Sequence, residues 1–198
     1  MNKLKNINKG LILFLIIVVI IIIYSCFIEK SRAEDKYEIK SLCQDYMNFE
    51  AEATMLEKED RKIDIEVDYE EIFNTTYVVQ HYIDYKYSKD EEVIKRLSQD
   101  IMSKFEKQLN GIYMFLDKKR DIVKVNSYDF KEDTVTVEIT SLLQMDIDYR
   151  ENYVYNKEIE KMEGLVQNQK ISKKVTDVII LKKINNQWTI KAAKLTEI

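Results

Sequence analysis

Residues 134–155 read TVTVEITSLLQMDIDYRENYVY, and Val135, Val137, Ile139, Leu143, Met145, Ile147, Tyr149, Tyr153 and Tyr155 all stand at odd positions. Side chains alternate across a strand with period two, so the stretch predicts one long strand with a single packed face. Its flanks predict the rest of a sheet. Before it, Lys131-Glu132-Asp133 suits a turn, residues 121–130 alternate weakly, and Ile112 to Leu116 form a short apolar run that fits helix or strand. After it, residues 156–170 are polar and contain Gly164, so the chain is expected to reverse there. Ile171 to Lys183 returns as a strand centred on Val178 to Leu181. Asn185-Asn186 suits a tight hairpin turn, and Gln187 to Leu195 closes the sheet with Trp188, Ile190 and Ala192 on one side. The expectation is a curved four-stranded antiparallel meander.

Upstream the period changes to that of a helix. Ile39, Leu42, Tyr46, Phe49, Ala53 and Leu56 step by three and four residues, an a/d seam of about two and a half heptads. It fits a first helix lying on the domain's own sheet, or a membrane-proximal coiled coil in which Ile39, Leu42, Tyr46 and Phe49 meet a second copy. A second helix is expected over 69–86, with Ile72, Thr76, Val79, Ile83 and Tyr87 on one face, widened by Phe73 and Tyr82. Ser88-Lys89-Asp90-Glu91 has the spacing of a capping box, with Ser88 as the cap. A third helix follows, with Ile94, Leu97, Ile101, Phe105 and Leu109 inward, and Asn110-Gly111 suits its end. Three helices followed by four strands make an α+β domain.

Ahead of that domain, Gly10 to Ile28 (GLILFLIIVVIIIIYSCFI) carries no charge. At about 1.5 Å per residue, such a helix spans roughly the 30 Å hydrocarbon core of a bilayer. A helix apolar on every side has no face for water. The expected layout is a tail at 1–9, a transmembrane helix at 10–28, a linker at 29–36 and an extracytoplasmic domain at 37–198. Lys3, Lys5 and Lys9 precede the helix and no acid does, so the N-terminus is expected inside and the domain outside. A chain without proline and rich in Lys, Ile, Asn, Glu and Tyr fits an AT-rich genome, and the membrane is expected to be that of a bacterial cell. Two processed forms are the alternatives. One is a lipidated anchor at Cys26, preceded by Ser25 at the outer end of the apolar run, although Tyr24 departs from the usual lipobox. The other is a cleaved signal peptide, although the run is long and no A-x-A site follows it.

Composition narrows the function. The chain has 31 basic and 35 acidic residues, and without Lys3, Lys5 and Lys9 the remainder is 28 against 35, a charge of −7. That argues against a nucleic-acid partner, whose sites are basic. Two cysteines exclude a disulfide framework and a cysteine metal site. His81 is the only histidine, and no motif for a nucleophile, a phosphate loop or a dinucleotide occurs. Asp64, Glu66 and Asp68 alternate with apolar residues and suit a solvated strand edge better than a cation site. No catalytic, cofactor or metal residues are therefore assigned, and the protein is expected not to be an enzyme. The thirteen tyrosines are more suggestive. Tyrosine suits protein interfaces, because one end is apolar and the other can hydrogen-bond. Tyr149, Tyr153 and Tyr155 are the candidates on the long strand.

Helices first, then a meander ending in Asn185-Asn186-Gln187-Trp188-Thr189-Ile190, resembles the nuclear-transport-factor-like (cystatin-like) cone fold. With one membrane helix in front, the layout resembles the bridge subunits of type IV secretion and conjugation machines, the TcpC type included. Thr76 to Lys86 is similar to that family's Tyr-Val-x-x-Arg helix, with Tyr82, Ile83 and Lys86 in matching places. The following tyrosine is out of register, and the chain has room for one cone domain where TcpC-type proteins often carry two. The resemblance implies a scaffold that self-associates and binds other envelope proteins. The alternatives are a small-molecule-binding cone, with Met145, Tyr149 or Trp188 lining its pocket, and an envelope or sporulation accessory protein. Bulky Phe105, Met145 and Trp188 are expected to fill the cone instead.

Overall fold

The structure, a computed structural model, describes residues 9–55, 69–109, 113–156 and 161–197, with side chains within 13–55, 76–105, 113–149 and 167–197. Two compact units make up the chain, Met1–Ile39 and Lys40–Ile198. Helix α1 runs over Lys9–Ala53 and takes in residues 29–36, which were expected as a linker. In the first unit its large apolar side chains from Leu13 to Phe27 stand exposed almost throughout. This helix is long and apolar enough to cross a membrane.

The second unit continues with α2 (Tyr69–Lys86), α3 (Glu91–Leu109), β1 (Tyr113–Lys131), β2 (Thr134–Asn156), β3 (Lys161–Ile184) and β4 (Gln187–Lys194). The strands pair antiparallel in the order β1-β2-β3-β4, so the domain is α+β, as its periodicities imply. The turn at 132–133 and the Asn185-Asn186 hairpin form where expected. Glu132, Asn185 and Asn186 have positive φ (51°, 49° and 65°), and two such consecutive residues are what the hairpin needs to match strand twist. β3 begins at Lys161, where it pairs with Asn156, so Gly164 lies in a strand and not in a reversal; residues 157–160 lie outside the described residues.

β2 keeps one inward face, with Val135, Val137, Ile139, Leu143 and Met145 buried. β1 does not keep a single alternation. Its pairing with β2 shifts between Phe115 and Asp117, between Ile122 and Lys124, and between Val125 and Ser127. Each bulge inserts one residue and flips which parity faces inward. Phe115 therefore shares a face with Lys118 and Arg120, and all three are buried. A further shift between Ile180 and Leu181 pairs Ile179 with Ala193 and Leu181 with Ile190. Ala193 thus shares the face of Trp188 and Ile190, where alternation had placed Ala192.

The helices cover the inward face of the sheet. On α1, Ile39, Cys43, Tyr46, Met47, Glu50 and Ala51 are buried, a stripe turned about one residue from the expected seam, and Thr54 in the turn after it is buried as well. Leu42 and Phe49 are half-buried. Gln44 ties α1 to the edge strand: its Nε2 donates to the Arg120 carbonyl at 2.8 Å and its Oε1 accepts from the Ile122 N–H at 2.8 Å. Both are backbone groups that an edge strand leaves without a strand partner. Tyr46 packs edge-on to Tyr87 at 5.3 Å, Phe49 stacks on Tyr82 at 4.6 Å, and the Ile190 N–H donates to the Tyr87 carbonyl at 2.7 Å. The cap of α3 is Asp90, not Ser88: its Oδ1 accepts from the N–H of Glu92 at 3.0 Å and of Val93 at 3.2 Å. Ser88 instead takes the Asp90 N–H at 3.3 Å. Val93, Leu97, Ile101, Met102 and Phe105 form the buried face of α3.

Candidate functional site

Six charged side chains converge at one end of the buried face. The last turn of α1 supplies Glu50, Thr54 follows directly after that helix, α3 supplies Lys104, β1 supplies Lys118 and Arg120, β3 supplies Asp177, and the segment after β4 supplies Thr196 and Glu197. Glu50 Oε1 lies 2.8 Å from Lys104 Nζ and 3.1 Å from Lys118 Nζ. Arg120 Nη1 lies 2.7 Å from Asp177 Oδ1, an oxygen that also accepts the Thr196 N–H at 2.8 Å. Ser141 Oγ donates to the other Asp177 oxygen. Lys118 Nζ also reaches Thr54 Oγ1 at 3.2 Å, and Arg120 Nη2 donates to the Thr196 carbonyl at 3.0 Å.

Glu197 closes the network. Its Oε1 sits 3.2 Å from Lys118 Nζ, 3.2 Å from Arg120 Nη2 and 3.4 Å from Lys104 Nζ. One carboxylate oxygen thus meets three cations. Glu50, Lys118, Arg120 and Asp177 have fully buried side chains, while Glu197 is 30% exposed. Taking such charges out of water costs several kcal/mol per ion unless each is paired. Burial works against the charge on Glu50, but Lys118, Lys104 and Arg120 outweigh it and hold the carboxyl below the usual carboxylate range. Burial likewise opposes the charge on Lys104, and Glu50, Glu197 and Asp100 outweigh it, raising the ammonium above its ordinary value. Among the described residues, Glu50 Oε2 and Arg120 Nε have no hydrogen-bond partner.

Beside this cluster opens a cleft of about 500 Å³. Phe115, Met145, Ile147 and Ile171 give it an apolar wall, while Asp100, Ser103, Lys104, Tyr113, Tyr149, Gln169 and Glu197 give it a polar one. Two of the three residues expected in a pocket, Met145 and Tyr149, are there. Trp188 is not: it is buried, with Phe130 edge-on at 6.2 Å and Lys183 over its ring at 5.3 Å. Phe105 and Met145 are buried as expected, yet they leave the cleft open.

The candidate interface residues divide. Ile39 and Tyr46 are fully buried within the chain and have no surface left for a coiled-coil partner. Leu42 and Phe49 keep part of theirs, and Leu56 lies outside the described residues. Tyr149 lines the cleft and donates to Gln167 Oε1 at 2.9 Å. The side chains of Tyr153 and Tyr155 lie outside the described residues, and the register shift between Glu151 and Val154 breaks the odd-numbered run that linked them to Tyr149. Asp64, Glu66 and Asp68 also lie outside the described residues. Cys26 is exposed on α1, and burial pushes the Cys43 thiol up to about 12.

Among the described residues, α2 carries an exposed aromatic face, where Tyr77, Val78 and Tyr85 are 65%, 63% and 75% exposed. His81 lies between them, exposed, its ring parallel to that of Tyr77 at 6.3 Å. Spacings of one, four and eight residues put all four on one face.

None of the six charges was legible as part of a site, because charged residues are normally assigned to the surface. A signal was nevertheless present. Glu50 and Thr54 continue the helical stripe of Cys43, Tyr46 and Met47, and Lys118 and Arg120 stand two apart on a strand.

No family model matches the sequence, and no curated protein does. Among solved structures, the chain is similar to the intermembrane-space region of the chloroplast protein ARC6, at 12% identity and a TM-score of 0.33 over 65% of this chain and 96% of that one.

Proposed function

We propose that the chain is a single-pass, membrane-anchored assembly protein without enzymatic activity, whose domain joins a second copy of itself and other proteins of the cell envelope. The observation that carries this reading is the α2 face of Tyr77, Val78, His81 and Tyr85. Aromatic side chains left in water side by side mark a protein interface more than an enzyme surface. An anchor confines the copies to one plane and one orientation, which raises their effective concentration and lets a modest face suffice. The likeness of Thr76 to Lys86 to the conjugation-machine helix supports a secretion or conjugation apparatus as the setting. The charge balance of the N-terminal flank supports the domain lying outside a bacterial membrane. Cys43 is buried with its thiol up near 12, which supports a structural rather than nucleophilic role.

Disulfide crosslinking in membranes tests this. With Cys26→Ser as background, Tyr85→Cys is expected to give a dimer under mild oxidation, and Lys124→Cys on β1 is not. Equal crosslinking at both positions, or none at Tyr85, would contradict the α2 interface.

A second reading, a domain that binds a small molecule, is favoured by the cleft beside the charge cluster.

A further inference from the structure

We infer that the cleft is a binding site for an amphiphilic monocarboxylate, and that Glu197 occupies its anion position from within the chain. The inference rests on the ligand-binding reading and names its ligand class. Three cations, Lys104, Lys118 and Arg120, are gathered around three carboxylates, and a fourth, the half-exposed Asp100, lies 3.5 Å from Lys104 at the edge. Two of those carboxylates, Glu50 and Asp177, are fully buried on a helix and a strand and are fixed parts of the core. The third, Glu197, comes from the segment after β4, is partly exposed and lines the cleft. Without it the three cations face Glu50, Asp177 and the half-exposed Asp100, which lies 3.5 Å from Lys104. Glu197 itself is the measure of the position: one carboxylate oxygen fits among all three cations. The geometry is already that of carboxylate recognition, since one Glu197 oxygen takes Lys118, Arg120 and Lys104 at 3.2, 3.2 and 3.4 Å.

The wall next to the anion position sets the rest of the ligand. Phe115, Met145, Ile147 and Ile171 offer apolar surface, and Tyr113 and Phe115 hold their rings 5.2 Å apart beside it. A volume of about 500 Å³ is in the range of small-ligand sites. A carboxylate carrying an aryl or short alkyl group would put its head among the three cations and its body on that wall. Glu197 must swing out for it to enter. The chain's own side chain therefore competes with the ligand, and the two are coupled through one anion position.

The test is calorimetric titration of the full chain in lipid nanodiscs with 4-phenylbutyrate and with its neutral amide, with empty nanodiscs as blank. The acid is expected to bind and the amide not to. Glu197→Gln is expected to tighten the acid about tenfold, within the usual range of coupling between sites. Lys104→Met in the Glu197→Gln background is expected to reverse most of that gain. Should Glu197→Gln fail to fold, Glu197→Asp, which withdraws the carboxylate by one methylene, is expected to tighten the acid as well. Acid and amide binding equally would overturn the anion site while leaving a ligand cleft. Binding of neither would overturn both. Acid binding unchanged by the Glu197 variants would overturn the competition.

Discussion

Glu50 is the residue on which the interior depends. It stands in the buried stripe of α1 where an apolar side chain would serve packing, and it has Lys118 and Lys104 within 3.1 Å. Removing one partner of a buried pair leaves an uncompensated charge, which costs about 3–5 kcal/mol. Glu50→Ala is expected to lose about that much in urea unfolding, followed by the fluorescence of Trp188, the only tryptophan and a buried one. The pH dependence has a definite sign. The folded-state pKa of Glu50 lies below its ordinary value of 4.5, so its stabilisation is complete above that value and is lost as pH falls through the folded value. Unfolding curves of the wild type and Glu50→Gln are therefore expected to lie far apart at pH 7 and to converge in acid. A constant separation across that range would assign the effect of Glu50 to packing alone.

Among the elements, β2 was legible from its long run of period two, and β1, with three bulges, was not. β2 has odd-numbered apolar residues from Val135 to Ile147, and it forms as one strand. β1 reads as two fragments in the sequence because three inserted residues change its parity three times in nineteen residues. Periodicity cannot recognise a bulge, since one extra residue looks like the end of the pattern. The same limit misassigned Ala192. On α1 the apolar steps were right to within one residue, and the error came from passing over Glu50 and Thr54 as surface residues. The start of α3 was missed for a different reason: Ser88 and Asp90 are both good caps with acids nearby, and only the backbone decides which begins the helix. Asp90→Ala is expected to cost about 1 kcal/mol of stability, since it frees the N–H groups of Glu92 and Val93. Chemical denaturation of that variant checks it, and no loss would return the cap to Ser88.

The whole molecule joins an apolar helix to an acidic α+β domain. The first was plain from nineteen uncharged residues, because a helix apolar on all sides has no face for water and is long enough to cross a membrane. The domain's class was plain from the change of period after residue 111. Its cleft and charge cluster were not, because both arise where α1, α3, three strands and the segment after β4 come together. The α2 face was half visible: its tyrosines stand in the sequence, but only the fold shows which of them α1 covers. Tyr82 is turned onto Phe49, while Tyr77 and Tyr85 stay in water. Assembly through that face is the central claim. Light scattering of the full chain in detergent over a concentration series tests it most directly, with Tyr77→Ser/Tyr85→Ser run beside the wild type. The expected result is a wild-type dimer that becomes monomeric in the double variant. A monomer at every concentration, or a dimer that the double variant leaves unchanged, would contradict it.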